Sequence, residues 1–192
     1  MGLDYPITTE DVNKAIQLTN GFKYQVLVLG ATYFTKRIPQ DKCSDIIASY
    51  PGMTVLTGGK DVQKLGEELL HLHPAKTISG TDDRNEHWDP DKGIDSCGKV
   101  SLDISAALIK LCHRVVTGDT GLMHIAAALQ KEIVVIWGNT VPQFGMYPYY
   151  GYNNTSKHTN KEVTGLDCRP CSKLGFDHCP KGHFKCMKAQ QL

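Results

Sequence analysis

Short apolar stretches alternate along the chain with segments whose apolar residues recur at helical spacing. The apolar stretches, typical of strands covered on both faces, lie at residues 24–29, 53–57, 114–117 and 133–137. The intervening pattern predicts helices at about residues 8–20, 39–50, 61–72, 101–112 and 121–129. Strands that alternate with helices through right-handed crossovers form a parallel sheet, so we expect a doubly wound α/β domain.

Local signals mark where several of these elements begin and end. Thr8 or Thr9 precedes two acidic residues at a helix start, and Gly21 follows its end. Pro39 opens the second helix, and a Pro-Gly pair at 51–52 stops it. Residues 73–91 are polar and rich in turn residues, which predicts a long loop before a short strand at 94–97.

Composition narrows the class of protein. A chain of 192 residues is one ordinary domain, and 21 Lys and Arg against 20 Asp and Glu give no sign of a basic surface for nucleic acid or anionic membranes. No apolar run approaches the ~20 residues of a transmembrane segment, and the polar, acidic beginning is no signal peptide. We therefore expect a soluble intracellular protein without nucleic-acid partners.

Candidate binding residues follow the predicted strands, because ligands of open parallel sheets collect at the carboxyl ends of the strands. Residues 30–39 contain threonines and two cations, whereas Gly58 and Gly59 let the backbone approach a ligand closely. Residues 97–99 form a third loop. The fourth, residues 118–124, opens the alanine-rich helix and carries the sharpest signal.

That fourth loop has the features of an anion site. Thr120 can cap the helix, and Gly121 leaves its first turn open, so that free N–H groups point outward at the positive helix end. Such a helix start suits a phosphate or diphosphate. Lys36 from the first loop would add a full charge, and Thr32 or Thr35 would add a hydroxyl donor. The Asp119 carboxylate fits better as an acceptor for sugar hydroxyls. The candidates from the two loops are thus Thr32, Thr35, Lys36, Asp119, Thr120 and Gly121.

Each of these residues also has an ordinary structural interpretation. Asp-Thr-Gly is a common turn and cap sequence, His124 fits a hydrogen-bonded packing residue, and Lys36 with Arg37 fits a solvated surface. The sequence contains neither a GxGxxG nor a P-loop signature. Their absence argues against dinucleotide binding and against Mg-ATP hydrolysis.

The seven cysteines divide into two groups. Three are scattered through apolar or helical stretches, and four crowd into the last 25 residues as C-x2-C-x7-C-x6-C, with His178 and His183 interleaved: Cys43, Cys97 and Cys112, then Cys168, Cys171, Cys179 and Cys186. The second group offers enough ligands for a tetrahedral zinc. Two alternatives stay open, namely a redox dithiol, and reduced or disulfide-paired cysteines that pin an irregular tail to the body.

Six segments taken in order resemble a known family. The carboxyl-terminal half of the ADP-heptose:lipopolysaccharide heptosyltransferases, glycosyltransferase family nine, is similar to this chain from about residue 22 to the end. The resemblance is carried by GATYFTKRIP, VLTGGKD, SCGKVSL, VTGDTGLMHIAAAL, IVVIWGNTVPQFGMYPY and LDCRPCSKLGFDHCPKGHFKCM.

The resemblance implies a GT-B architecture of two Rossmann-like lobes, of which the carboxyl-terminal lobe holds ADP-heptose without a required metal or other cofactor. Lys36 would bind the diphosphate and stabilise the departing ADP. The donor-binding residues carried over are Thr32, Thr35 and Lys36 for the diphosphate; Asp119, Thr120, Gly121, Leu122 and His124 for the phosphates and heptose; Gly98, Lys99 and Val100 near the adenine; with Gly58 and Gly59 beside them.

The same resemblance sets expectations for the whole chain. Residues 1–22 would form a leading helix or linker, 23–165 the nucleotide-sugar domain, and 166–192 a cysteine-rich tail packed on it. Transfer would be inverting, with the base and the lipopolysaccharide-core acceptor on an amino-terminal lobe, so this chain alone is expected to bind donor with little turnover. Its location would be the cytoplasm, at the inner membrane face.

Two further functions stay open on the sequence. One is a non-catalytic module for a nucleotide sugar or phosphate, whose tail docks a partner. The other is an epimerase of the same two-lobed architecture, against which the WGNTVP segment and the tail argue.

Overall fold

A computed structural model describes residues 4–73, 93–152, 155 and 157–192. The helices and strands in chain order are α1 Thr9–Thr19, β1 Tyr24–Val28, α2 Gln40–Ser49, β2 Met53–Thr57, α3 Gln63–Leu72, β3 Ile94–Asp95, α4 Leu102–Leu111, β4 Arg114–Thr117, α5 Gly121–Ala128, β5 Glu132–Trp137, β6 His158–Glu162 and α6 Lys185–Lys188. None of the helices in these ranges, the longest of which has 11 residues, is long and apolar enough to cross a membrane.

The six strands form one parallel sheet in the order β3-β2-β1-β4-β5-β6. In the central register Val26 of β1 lies between Val55 of β2 and Val115 of β4. The strand order reverses between β1 and β4. Ligands of such sheets bind in the crevice that this reversal opens at the carboxyl ends of the strands.

Helices and tail cover both faces of the sheet, because alternate strand residues point to opposite sides. Val26 and its neighbours on one face pack with Leu108 of α4 and Met123 of α5. Leu27 and its neighbours on the other face pack with Leu69 of α3 and with the tail residue Met187. The doubly wound α/β class expected from the sequence is confirmed.

The predicted helix boundaries correspond to observed caps. The Thr8 hydroxyl accepts the Asp11 N–H at 3.1 Å, and the Ser101 hydroxyl accepts the Ile104 N–H at 3.2 Å. At the other end of α1, Asn20 takes the left-handed conformation with φ 49°, directly before Gly21. The two hydroxyl caps satisfy N–H groups of the first turn that have no partner within the helix.

Two strands differ from the sequence expectation. β3 ends at Asp95 rather than 97, because the Asp95 carboxylate accepts the Cys97 N–H at 3.0 Å and turns the chain. β6 is not predicted because its sequence, HTNKE, is polar; in the structure it is a partly exposed strand at the edge of the sheet. The long loop expected at 73–91 lies outside the described residues from 74 onward.

The tail follows β6 and packs back against the sheet. Residues 163–184 contain turns but neither helix nor strand, and the short α6 follows them. Phe184 and Met187 are buried in the same core as Leu27. The Gln190 amide donates to the Trp137 carbonyl of β5 at 3.0 Å. The division of the chain at residues 22/23 and 165/166 stays a prediction.

Candidate functional site

A cavity of about 940 Å³ opens at the carboxyl ends of the strands, where the strand order reverses. Its walls come from the loops that follow β1, β2 and β4, from the first turns of α4 and α5, and from the tail residue Leu174. The volume lies within the range of ~300–1,000 Å³ usual for small-molecule sites. Most of the sequence-predicted binding residues are brought together here.

An ion pair between Lys36 and Asp119 lies in the wall of the cavity. Lys36 Nζ is 2.7 Å from Asp119 Oδ2, and the two side chains are only 12% and 6% exposed. The Thr140 hydroxyl donates to the same carboxylate oxygen at 3.0 Å. Asp119 therefore holds the ammonium group in place, and its expected contact with sugar hydroxyls stays a prediction.

Two glycines allow the backbone around Lys36 to sit this close to the sheet. A Cβ on Gly118 would lie 2.4 Å from the Lys36 carbonyl oxygen, and a Cβ on Gly138 would lie 2.5 Å from that of Thr35. Real Cβ atoms essentially never approach backbone atoms so closely. The position of Lys36 is thus fixed by close backbone packing as well as by the ion pair.

The amino-terminal end of α5 faces the same cavity. The Thr120 hydroxyl accepts the Met123 N–H at 3.3 Å and lies 3.1 Å from the Thr117 hydroxyl, so Thr120 is the cap expected from the sequence. A Cβ on Gly121 would meet no atom within 4 Å. Open space thus lies directly before the positive end of this helix, where anions are stabilised.

A second cation was treated in the sequence only as a surface residue. Arg37 lines the cavity, donates from Nε to the Ala31 carbonyl at 3.0 Å, and pairs with Asp61 at 2.6 Å. Asp61 also lines the cavity. Asp61 lies two positions after Gly59 in the loop that follows β2, and this place was the signal available in the sequence.

The cavity wall contains ten of the thirteen predicted donor residues: Thr32, Lys36, Gly58, Gly59, Val100, Asp119, Thr120, Gly121, Leu122 and His124. Besides Arg37 and Asp61, it contains residues that the sequence did not single out as binding residues, including Tyr33, Leu102, Ser105 and Leu174. The exposed apolar side chains of Leu102 and Leu174 carry no chemical signature in the sequence, since apolar residues are common at any surface.

Three predicted residues do not line the cavity, so the structure gives no support for their contact with the donor. Thr35 is 1% exposed, and its hydroxyl accepts the Phe176 N–H at 2.8 Å and donates to the Phe176 carbonyl at 3.2 Å. Lys99 pairs with Asp95 at 2.6 Å, and this hydrogen bond raises the pKa of Lys99. Gly98 serves a turn with φ +67°, where a Cβ would crowd Lys60.

The tail cysteines do not form the expected zinc site as the structure places them. Among the described residues, which include all four, no group of three or more His, Cys, Asp or Glu could hold a metal ion. Cys168 Sγ lies 3.8 Å from His183 Nε2. Because His183 Nδ1 accepts the Lys185 N–H at 3.0 Å, the proton of a neutral ring lies on Nε2, which then has no lone pair for a metal.

Of the remaining tail thiols, Cys179 is engaged and Cys186 is buried, whereas Cys171 is exposed. Cys179 Sγ accepts the Phe184 N–H at 3.4 Å, and burial raises the pKa of Cys186 to about 11. All seven cysteines are free thiols in the structure. The geometry thus favours reduced cysteines that pack the tail on the body over a metal centre.

Curated relatives match parts of the chain. Lipooligosaccharide heptosyltransferase 2 of Haemophilus influenzae is 43% identical over 51 residues, which is 27% of this chain and 15% of that protein. The protein of the same name from Campylobacter jejuni is 30% identical over 138 residues, 70% of this chain and 35% of its own length. The matched segments thus span well under two thirds of these relatives.

Solved structures share the fold at low identity. The E. coli ADP-heptose lps heptosyltransferase II superimposes with a TM-score of 0.63 and 21% identity, over 97% of this chain and 52% of that one. E. coli heptosyltransferase WaaC with ADP-2-deoxy-2-fluoro heptose gives 0.52 and 19%, over 81% and 43%. The chain corresponds to about half of each.

The family assignment rests on the longest match. The sequence model of glycosyltransferase family 9 (heptosyltransferase) matches residues 4–173, which include every cavity loop. The parallel sheet and the cavity at its switch point agree with the resemblance seen in the sequence. The chain belongs to glycosyltransferase family 9, the heptosyltransferase family.

Proposed function

We propose that these residues form the donor-binding domain of an inverting heptosyltransferase of lipopolysaccharide core synthesis, and that the cavity holds a nucleotide sugar of the ADP-heptose type. The observation that carries the proposal is the convergence of Lys36 and the open amino-terminal end of α5 on one cavity. Together they provide an ammonium group and the N–H groups of a helix start, which can donate hydrogen bonds to a diphosphate.

Different residues around this anion site contact different parts of the donor in this proposal. The diphosphate lies against the first turn of α5, with Lys36 and Thr32 beside it. The heptose lies toward His124 and Leu122, which line the cavity further along α5. The adenine lies toward α4, where Val100, Leu102 and Ser105 offer apolar surface and one hydroxyl.

Transfer breaks the bond between the anomeric carbon and the β-phosphate oxygen. Negative charge builds on that oxygen as ADP departs, and Lys36 and the α5 amides stabilise it more strongly in the transition state than in the ground state. The acceptor hydroxyl forms the new bond on the opposite face and gives its proton to a general base. The electron pair of the broken bond leaves with ADP.

We place that general base outside this cavity. Among the described residues that line it, the two carboxylates are both held by cations: Asp119 by Lys36 at 2.7 Å and Asp61 by Arg37 at 2.6 Å. A base must reach the acceptor hydroxyl and accept its proton, for which a carboxylate paired with a neighbouring cation is poorly suited. The acceptor and base then come from residues beyond the donor domain, as the family resemblance implies.

The cofactor requirement and the cellular location are proposed from the family resemblance and not from any contact in the structure. The donor is bound without a required cofactor, and the enzyme works in the cytoplasm. A docking role for the tail, the alternative function, has less support, because Phe184, Cys186 and Met187 are buried against the body.

Ligand-induced stabilisation tests the donor assignment. At 100 times its dissociation constant, a ligand adds about 2.7 kcal/mol of stability, which raises the melting temperature of a domain of this size by about 5–11 °C. ADP and ADP-heptose should give this response, and UDP and GDP a smaller one at equal concentration. No response to any of these nucleotides would refute the proposal.

A further inference from the structure

The cysteine-rich tail contacts the two loops that position Lys36, although it contributes only Leu174 to the cavity wall. Four tail residues make these contacts, and we call them the tail clasp: Arg169, Ser172, Gly175 and Phe176. The sequence singled out this segment for its cysteines, yet these four residues connect it to the cation.

The first connection runs through Thr35, the neighbour of Lys36. Thr35 and Phe176 share three hydrogen bonds: the Thr35 N–H donates to the Phe176 carbonyl at 3.1 Å, the Thr35 hydroxyl donates to the same oxygen at 3.2 Å, and the Phe176 N–H donates to the hydroxyl at 2.8 Å. Gly175 packs against Tyr33, where a Cβ would lie 2.5 Å from that of Tyr33. The backbone on the amino-terminal side of Lys36 is therefore held by the tail.

The second connection runs through the loop after β5. The Arg169 guanidinium is nearly buried and donates to the Gly138 carbonyl at 2.8 Å and the Thr140 carbonyl at 3.0 Å. The Thr140 hydroxyl donates to Asp119, which in turn holds Lys36. Asn139, which lies between Gly138 and Thr140 in the chain, donates from its side-chain amide to the Ser172 carbonyl at 3.2 Å.

We propose that the tail clasp is a positioning element of the donor site, which acts on the Lys36 ammonium through Thr35 and through Thr140. The proposal rests on the proposed function, since it concerns the charge that receives the donor diphosphate. Neither Thr35 nor Thr140 lines the cavity, so both are positioning residues. Their hydroxyls fix the position of the ammonium before the ligand binds. Binding then does not have to order a mobile lysine side chain, which would lower the affinity.

Two valine substitutions test this, because valine keeps the shape of threonine and removes only the hydroxyl. Thr35→Val removes two hydrogen bonds to Phe176 and Thr140→Val removes one to Asp119, and each should weaken ADP binding about tenfold. Thr35→Ser, which keeps the hydroxyl, should stay within about twofold of wild type. Isothermal titration with ADP measures these affinities on the full chain, after circular dichroism has shown that each variant is folded.

Adenosine separates positioning from general damage. It lacks the diphosphate, so its affinity should be the same in wild type and both valine variants, whereas a distorted cavity would lose adenosine and ADP together. Equal losses for the two ligands, or unchanged ADP affinity in both valine variants, would overturn the proposal. Thr140→Val carries the test if Thr35→Val does not fold. A wild-type chain that binds neither ligand would instead overturn the proposed function.

Discussion

Replacing Lys36 with methionine removes the ammonium that neutralises the Asp119 carboxylate and leaves an apolar side chain of similar length. Breaking a fully buried ion pair by removing one partner costs about 3–5 kcal/mol. Here the pair borders a cavity open to water, and the Thr140 hydrogen bond remains, so we expect a loss of about 2–3 kcal/mol. For a domain of this size that lowers the melting temperature by about 4–12 °C.

The same substitution should weaken ADP binding independently of stability. A hydrogen bond to a charged group contributes about 1.5–3 kcal/mol, so Lys36→Met should raise the dissociation constant for ADP about 10- to 150-fold. Lys36→Ala should do the same, with added loss of packing along the side chain. Isothermal titration of folded protein below its melting temperature measures this loss.

A double variant separates the two effects. Lys36→Met combined with Asp119→Asn removes both charges, so no buried carboxylate is left unpaired and stability should return to within about 1 kcal/mol of wild type. ADP affinity should stay low, because the ammonium is still missing. If Lys36→Met melts at the wild-type temperature, or if the double variant binds ADP as wild type does, the roles assigned to this ion pair are wrong.

Three further predictions concern the backbone, pH and thiols. Gly118→Ala should destabilise the protein by about 1–3 kcal/mol in denaturant melts and weaken ADP binding, because its Cβ would lie 2.4 Å from the Lys36 carbonyl oxygen. The control is Gly121→Ala, whose Cβ would have nothing within 4 Å, and its stability should stay within about 1 kcal/mol of wild type. An equal loss of stability in both variants would contradict the packing argument. Burial lowers the pKa of His158, whose ring stacks on that of Tyr150, so the neutral ring's contribution to stability is present above the unfolded pKa of about 6.5 and is lost as the pH falls below it. In urea titrations, wild type should therefore lose more stability than His158→Gln as the pH falls below about 6.5. The same pH dependence in both proteins would contradict this. In native alkylation followed by mass spectrometry, exposed Cys171 should react well before buried Cys43, whose pKa burial raises to about 12; comparable rates would show that the native state does not protect Cys43.

The fold class and most helix boundaries could be read from the sequence because they depend on short-range signals. Apolar runs of strand length, Thr8 and Ser101 as caps, and Pro39 before α2 all act within a few residues of themselves. β6 could not be read in this way. Its polar residues become a strand only because β5 offers a free edge for pairing, with Ile133 beside His158.

The residues of the candidate site likewise include some that short-range signals in the sequence predict and some that they do not. Thr120, Gly121 and Lys36 were recognisable because each follows a strand that the sequence predicts, and the ends of parallel strands meet at one edge. The direction of the Thr35 side chain could not be predicted, because its closeness to Lys36 in sequence does not determine which way it points. Phe176, 141 residues away, accepts and donates the hydrogen bonds that occupy its hydroxyl.

The sequence by itself therefore determined the alternation of strand and helix, the doubly wound class, the family, and the loops from which a donor site is built. The tertiary structure decided which residues face the cavity and that Asp119 and Lys36 form a nearly buried pair. It also decided that the tail contacts the backbone beside that lysine through Thr35, and the loop that holds Asp119 through Arg169. The physical reason is range. Periodicity, caps and turns act between near neighbours along the chain, whereas burial, charge pairing and side-chain direction depend on groups that only the packed fold brings together.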